Sequence, residues 1–350
     1  MAYTTIDNPE LHFQTKTYTG DQTANRLITL DGSEDMQPDW VWIKNREVSV
    51  SHDLYDSVRG VTKYIMTASS SAEATNADGL VGFNTDGFTV DTSWGNAYSG
   101  NDLVAWCWKA GTSFSNDASA TSVGTIDSTG SINTTAGFSI ISYTGTGSTG
   151  TVAHGLGSAP EMIIVKNRSA SQNWVVYHQS LNGTKAMFLN TTSAAETNSN
   201  WFNDTSPTST VFSVGTYDAV VGNGHNLIAY CFSEVKGYSK FGSYTGNGNA
   251  DGTYVHLGFK PSMVICKASS TDGDWKIFDN KRIGYNAANY RLYPNANTVE
   301  TSDSLIDILS NGFKLKTSSD SINGSGNTVI YMAFAESPFV NSNGVPNNAR

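Results

Sequence analysis

Six histidines, His12, His52, His154, His178, His225 and His256, are the side chains of this 350-residue chain best suited to metal binding or proton transfer. No two lie at the i, i+4 interval of a helical metal site, and no Cys-x-x-Cys occurs, so the sequence points to no metal and no cofactor. There is no Gly-x-Ser-x-Gly nucleophile elbow, and the glycines of Gly145-Thr146-Gly147 and Gly246-Asn247-Gly248 read as turn residues, not a phosphate loop. Asn249-Ala250-Asp251-Gly252 lacks the ordered oxygen ligands of a calcium loop and also reads as a turn. Carboxylate pairs for glycoside hydrolysis meet in space, not in sequence, so a sugar-cleaving depolymerase stays open as an alternative.

Two further sets of residues invite a binding role. A lysine recurs at Lys44, Lys166 and Lys267, each six places after a proline. It reads as an anion or sugar contact, or as a strand-end lysine whose stem covers the core while its ammonium reaches water or a local carboxylate. Asp56 and Asp279 are candidate partners, with Tyr177-His178 in the corresponding place of the middle unit. Aromatics form the second set. Trp94 and Tyr98 sit in a Gly- and Asn-rich loop, and Tyr217 sits in a similar one. Such rings serve as stacking platforms for sugars or as anchors in an interface. Trp40, Trp106, Trp108, Trp174 and Trp275 fall within predicted strands and belong to the core.

The elements that position these residues are repeated three times. Pro38, Pro160 and Pro261 each precede an apolar run. Tyr-Thr-Gly recurs upstream at Tyr18, Tyr143 and Tyr244, and a run ending in an aromatic recurs downstream at Trp108, Phe232 and Phe334. The tyrosines lie 125 and 101 residues apart and the prolines 122 and 101, so the markers keep step. The expected organisation is therefore all-β: three tandem antiparallel β-sandwich (jelly-roll-like) domains of about 100 residues each. They cover 1–111, 136–239 and 240–340, with a Ser/Thr/Gly-rich linker or surface excursion at 112–135 and a polar tail at 341–350. Equivalent strands should open at the three prolines, and the three terminal aromatics should lie in equivalent cores. The segment 301–309 suits either a strand or a short capped helix.

Composition narrows the function classes. Only 15% of residues are charged, the net charge is −10, and no Lys/Arg cluster is present, which argues against nucleic-acid binding. Three cysteines cannot make a disulfide framework, and Cys107 and Cys231, inside apolar runs, read as buried free thiols. No signal peptide or membrane-spanning stretch is evident, so synthesis and folding in a cytoplasm without membrane insertion are expected.

Three strings carry a family resemblance: Gln37-Pro38-Asp39-Trp40-Val41-Trp42-Ile43-Lys44-Asn45-Arg46 with Arg59-Gly60, Val104-Ala105-Trp106-Cys107-Trp108-Lys109-Ala110-Gly111, and Asn311-Gly312-Phe313-Lys314 followed by 330–339. They resemble a repeat common in structural proteins of tailed bacteriophages, especially marine and cyanobacterial ones. The resemblance implies a non-enzymatic virion protein: a tail fibre or fibre-like surface appendage for host adhesion or appendage attachment, or alternatively a capsid decoration knob. Its implied partners are other virion proteins and a host surface glycan or protein. It brings no catalytic residues. Coiled-coil heptads and a collagen-like repeat are missing, which suits a compact knob better than a long thin fibre. A homotrimer is expected from the closed symmetry of phage appendages, with a single chain acting as its own pseudo-trimer as the competing possibility.

Overall fold

Every residue of the strand Trp40–Asn45 is buried, and its side chains divide by parity between two cores. Trp40 and Trp42 enter one apolar cluster, while Val41 and Ile43 enter another. The same division holds in Met162–Asn167, where Met162 and Ile164 oppose Ile163 and Val165, and in Phe259–Ala268, where Met263 and Ile265 oppose Val264 and Cys266. A strand alternates its side chains across the sheet, so a run apolar at consecutive positions belongs in a sheet covered on both faces.

The computed structural model describes residues 3–282, 286 and 290–347, apart from the Trp94 side chain. The pairings between its strands are antiparallel, with one isolated parallel bridge between Ile126 and Val152, and one order of strands occurs three times. An opening strand (Phe13–Thr19, Phe138–Thr144 or Ser239–Thr245) pairs with a closing strand (Asp102–Trp108, Asn226–Phe232 or Thr328–Pro338). The closing strand pairs with the strand that follows the proline, and that strand pairs with a fourth (Asp53–Asp56, Val175–His178 or Lys276–Asp279). Pro38 and Pro160 stand just before their strands, whereas Pro261 lies inside Phe259–Ala268 at a register shift in the pairing, a position that tolerates a missing N–H.

A small sheet covers the outer face of each large one. It has three strands in the first repeat (Arg26–Ile28, Gly87–Val90, Leu80–Asn84) and in the third (Tyr254–His256, Gly312–Leu315, Ile306–Leu309). In the second it has two, Gly150–Ala153 and Val211–Val214, and a short helix, Ser199–Phe202, precedes Val211–Val214 where the other repeats carry a third strand. The ambiguous stretch 301–309 forms strands, Thr301–Ser302 and Ile306–Leu309. The stretch 112–135 contains Thr112–Asn116 and Ser128–Asn133, which extend the large sheet of the second repeat at its edge.

The Tyr-Thr-Gly marker has a mechanical explanation. Tyr18, Tyr143 and Tyr244 donate their hydroxyls to the carbonyls of Asn96, Val220 and Ile322 at 2.8, 2.7 and 2.7 Å, pinning a short helix onto each sandwich. At the glycine two places on, a Cβ would lie 2.2 Å from Tyr98 O, 2.3 Å from Gly222 O and 2.3 Å from Gly324 O, so only glycine admits the approach.

The terminal aromatics lie elsewhere than expected. Trp108, Phe232 and Phe334 do not occupy three separate equivalent cores but converge in one cluster built from the inner faces of all three large sheets. Phe334 lies 5.6 Å from Trp108 and 5.9 Å from Phe232, ring centre to ring centre. Each repeat keeps its own core between its two sheets. The chain is thus a cycle of three sandwiches around a shared aromatic centre, because the inner apolar face of each large sheet would otherwise remain uncovered.

Candidate functional site

The recurring lysines are drawn into this cycle and do not reach solvent. Lys44, Lys166 and Lys267 are fully buried, and each ammonium donates to backbone carbonyls. The acceptors are Val48 and Val50 for Lys44 at 3.1 and 2.8 Å, Ser70 and Gln172 for Lys166 at 2.7 and 2.6 Å, and Thr192 and Ala268 for Lys267 at 3.1 and 2.7 Å. Burial pushes their pKa values down from 10.5 to about 8, 7 and 8. The expectation of an ammonium in water or on a carboxylate is therefore corrected: these lysines satisfy backbone carbonyls, those of its own repeat for Lys44 and, for Lys166 and Lys267, one from the preceding repeat as well, Ser70 and Thr192.

Asp56 and Asp279 instead anchor two matching networks. Asp56 pairs with the Arg59 guanidinium and accepts from Tyr230 Oη of the second repeat at 2.7 Å. Arg59 reaches Glu73, which binds Arg168 of the second repeat at 2.9 Å. Between the third and first repeats the same parts recur: Asp279 with Arg282 at 2.7 Å, Trp106 Nε1 on Asp279 at 3.1 Å, and Glu300 between Arg282 and Arg46. The boundary between the second and third repeats carries a neutral version. His178, Leu181, Ala195 and Ser269 replace the four charged residues, and His178 Nε2 meets Tyr331 O at 3.2 Å. Since the carbonyl only accepts, Nε2 carries the proton, while Nδ1 accepts from Ser180 N at 3.2 Å. The imidazole is therefore neutral, and burial holds its pKa down at about 4.

Of the candidate loop aromatics, Trp94 and Tyr98 begin and follow a four-residue helix, Trp94–Ala97. Tyr98 is half-buried, and the Trp94 side chain lies outside the described residues. Tyr217 is different. It is 42% exposed and packs against Trp201 in a tilted contact, ring centres 4.3 Å apart and planes 36° from parallel. The pair walls a cleft of ≈ 320 Å³ shared with Ser70 of the first repeat and with Ser171, Asn173 and Glu196 of the second. Ser70 is fixed there by its carbonyl, which accepts from Gln172 N at 2.9 Å and from Lys166, and by its hydroxyl, 3.1 Å from that of Ser171. A larger, open depression of ≈ 600 Å³ is lined by Thr125, Asp127, Thr144, Asn223 and glycines, without an aromatic ring.

A family model described as a domain of unknown function (DUF7483) matches residues 8–338. The chain belongs to the DUF7483 family. That single match spans all three repeats, so the DUF7483 unit is the whole cycle, in agreement with the shared core. No curated protein matches the chain. Among the described residues of this DUF7483 protein, no three His, Cys, Asp or Glu side chains are grouped to hold a metal ion, and no helix is long and apolar enough to cross a membrane.

Trp201 is the residue that sequence reasoning passes over. Its signal lies in the repeat itself: at 199–202 the second repeat departs from the strand pattern of the other two, and an aromatic pair stands where neither counterpart has one.

Proposed function

We propose that this chain is a non-enzymatic structural protein of a tailed-bacteriophage virion, a compact surface appendage that adheres to the host or joins other appendage proteins. The observation that carries the reading is the cyclic body. Asp56–Arg59 and Asp279–Arg282 are buried in holding the sandwiches together, and the surface offers carboxylates, hydroxyls, amides and a few exposed rings. The phage part rests on the resemblance of the proline–tryptophan–lysine strand and the terminal strand to virion repeats. A rigid scaffold with loops and clefts between units suits adhesion, because ordered elements position the binding groups in advance.

A second reading, capsid decoration, is favoured by the closed cycle, which resembles a knob more than a filament. Electron microscopy of virions labelled against this chain separates the two: label on tail tips or fibres supports the appendage, and label spread over the head supports decoration. Its absence from purified particles overturns both. Incubation with host surface polysaccharide tests the depolymerase alternative, and reproducible chain shortening lost on changing a single Asp or Glu overturns the non-enzymatic reading.

A further inference from the structure

We infer that the cleft between the first and second repeats is a binding site for a neutral oligosaccharide, which deepens the adhesion reading and rests on it. The argument begins with the internal comparison that three repeats allow. Tyr217 precedes the short helix Asp218–Val221, and the corresponding places before Trp94–Ala97 and Asp320–Asn323 hold Ser93 and Ser319. The backbone there is alike: Tyr217 N donates to Asn200 O at 3.2 Å as Ser93 N does to Asp78 O at 2.8 Å. The fold is thus built twice with serine at this point, and it does not require a ring. The partner ring has the same history, since Trp201 lies on the helix that only the second repeat carries before its last small-sheet strand. Two departures from the repeat, at separate points of the chain, meet in one contact that leaves an aromatic face open to solvent.

The remaining walls suit a sugar. A pyranose offers an apolar C–H face and a rim of hydroxyls, and it is held by a ring below and by amide, hydroxyl and carboxylate groups at the side. Here the ring is Tyr217, and the polar groups are Asn173, Ser171, Ser70 and Glu196. The cleft volume, ≈ 320 Å³, falls at the small end of ligand sites, which run roughly from 300 to 1,000 Å³. Lys166 and the Ser70–Gln172 backbone bond lock the first-repeat wall to the second, so little order remains to be created on binding. Charge decides which sugars. Glu196 is exposed in the cleft, Asp218 follows Tyr217 directly, and the chain carries −10 overall, so uronate- or sulfate-bearing glycans are repelled.

The test uses the full chain on a printed array of neutral and acidic oligosaccharides, followed by titration of the best neutral hit. Tyr217→Ser, which installs the residue of the other two repeats, is expected to keep the melting temperature and weaken binding at least about tenfold, while Tyr217→Trp keeps it. Absence of any neutral hit, a preference for acidic glycans, or equal affinity in Tyr217→Ser overturns the inference. Wild-type adhesion to host cells that persists in Tyr217→Ser overturns this site alone and leaves the adhesion reading standing, whereas wild-type protein that binds no host cell overturns the reading itself.

Discussion

Tyr230, on the closing strand of the second repeat, donates its hydroxyl to Asp56 of the first at 2.7 Å, and both residues are fully buried. The carboxylate is simultaneously held by Arg59, so one hydrogen bond ties a sandwich to a buried ion pair in its neighbour. A hydrogen bond to a charged group contributes about 1.5–3 kcal/mol, and Tyr230→Phe should lose stability of that order in urea unfolding. Arg59→Leu should cost more, about 3–5 kcal/mol, because it leaves Asp56 buried without its counter-charge. If Arg59→Leu is no worse than Tyr230→Phe, the ion pair is not what this boundary depends on.

The shared centre predicts cooperativity. Phe334 touches aromatic rings of all three repeats, among them Phe13, Trp108, Phe232 and Phe241. Phe334→Ala should therefore cost about 3–5 kcal/mol and lower the melting temperature of the whole chain. Calorimetry is expected to show one transition. A third repeat that melts separately while the others keep their wild-type temperature would contradict a common core.

The buried lysines make stability rise with pH. Lys166 has a pKa of about 7 in the folded protein against 10.5 ordinarily, because burial disfavours the ammonium. Between these values the unfolded chain binds a proton that the folded chain does not, so raising the pH favours folding. Unfolding free energy should grow from pH 7 to about 7.5, before the cysteines of the unfolded chain, with an ordinary pKa of about 8.5, ionise and offset the rise. Lys166→Met should flatten this rise. A slope unchanged by the substitution would show that Lys166 is not the group responsible.

His178 acts in the acid range. Its folded pKa of about 4 lies below the ordinary 6.5, so the unfolded chain takes up the extra proton as pH falls through this window and stability declines. In His178→Gln, whose amide can still donate to Tyr331 O, the loss between pH 6.5 and 4 should be smaller than in wild type. Parallel curves for the two proteins would count against His178 as the acid-sensitive group at the neutral boundary.

One chain already closes a cycle of three, so we expect a monomer, the pseudo-trimer of the two assemblies weighed above. Light scattering at micromolar concentration should give a mass near 37.5 kDa. A mass three times larger would support the homotrimer and overturn the monomer.

The sequence by itself determined the local elements and their recurrence. Consecutive apolar residues such as Met162 to Val165 demanded a strand covered on both sides, and Tyr18, Tyr143 and Tyr244 with their glycines marked three like turns. These follow from side-chain alternation and backbone space, which short segments encode. What covers the second face was decided only by the tertiary structure. Nothing local distinguishes a Trp108 that packs within its own sandwich from one that meets Phe334 across a shared centre, or a Lys166 that reaches water from one that binds the carbonyl of Ser70, 96 residues away. The cleft divides in the same way: Tyr217 was legible as a loop aromatic, but its packing against Trp201, and the placing of Ser70 beside the pair by the first repeat, came from the fold in space. Periodicity states that a surface is apolar, whereas only the arrangement of sheets in space fixes which surface it meets.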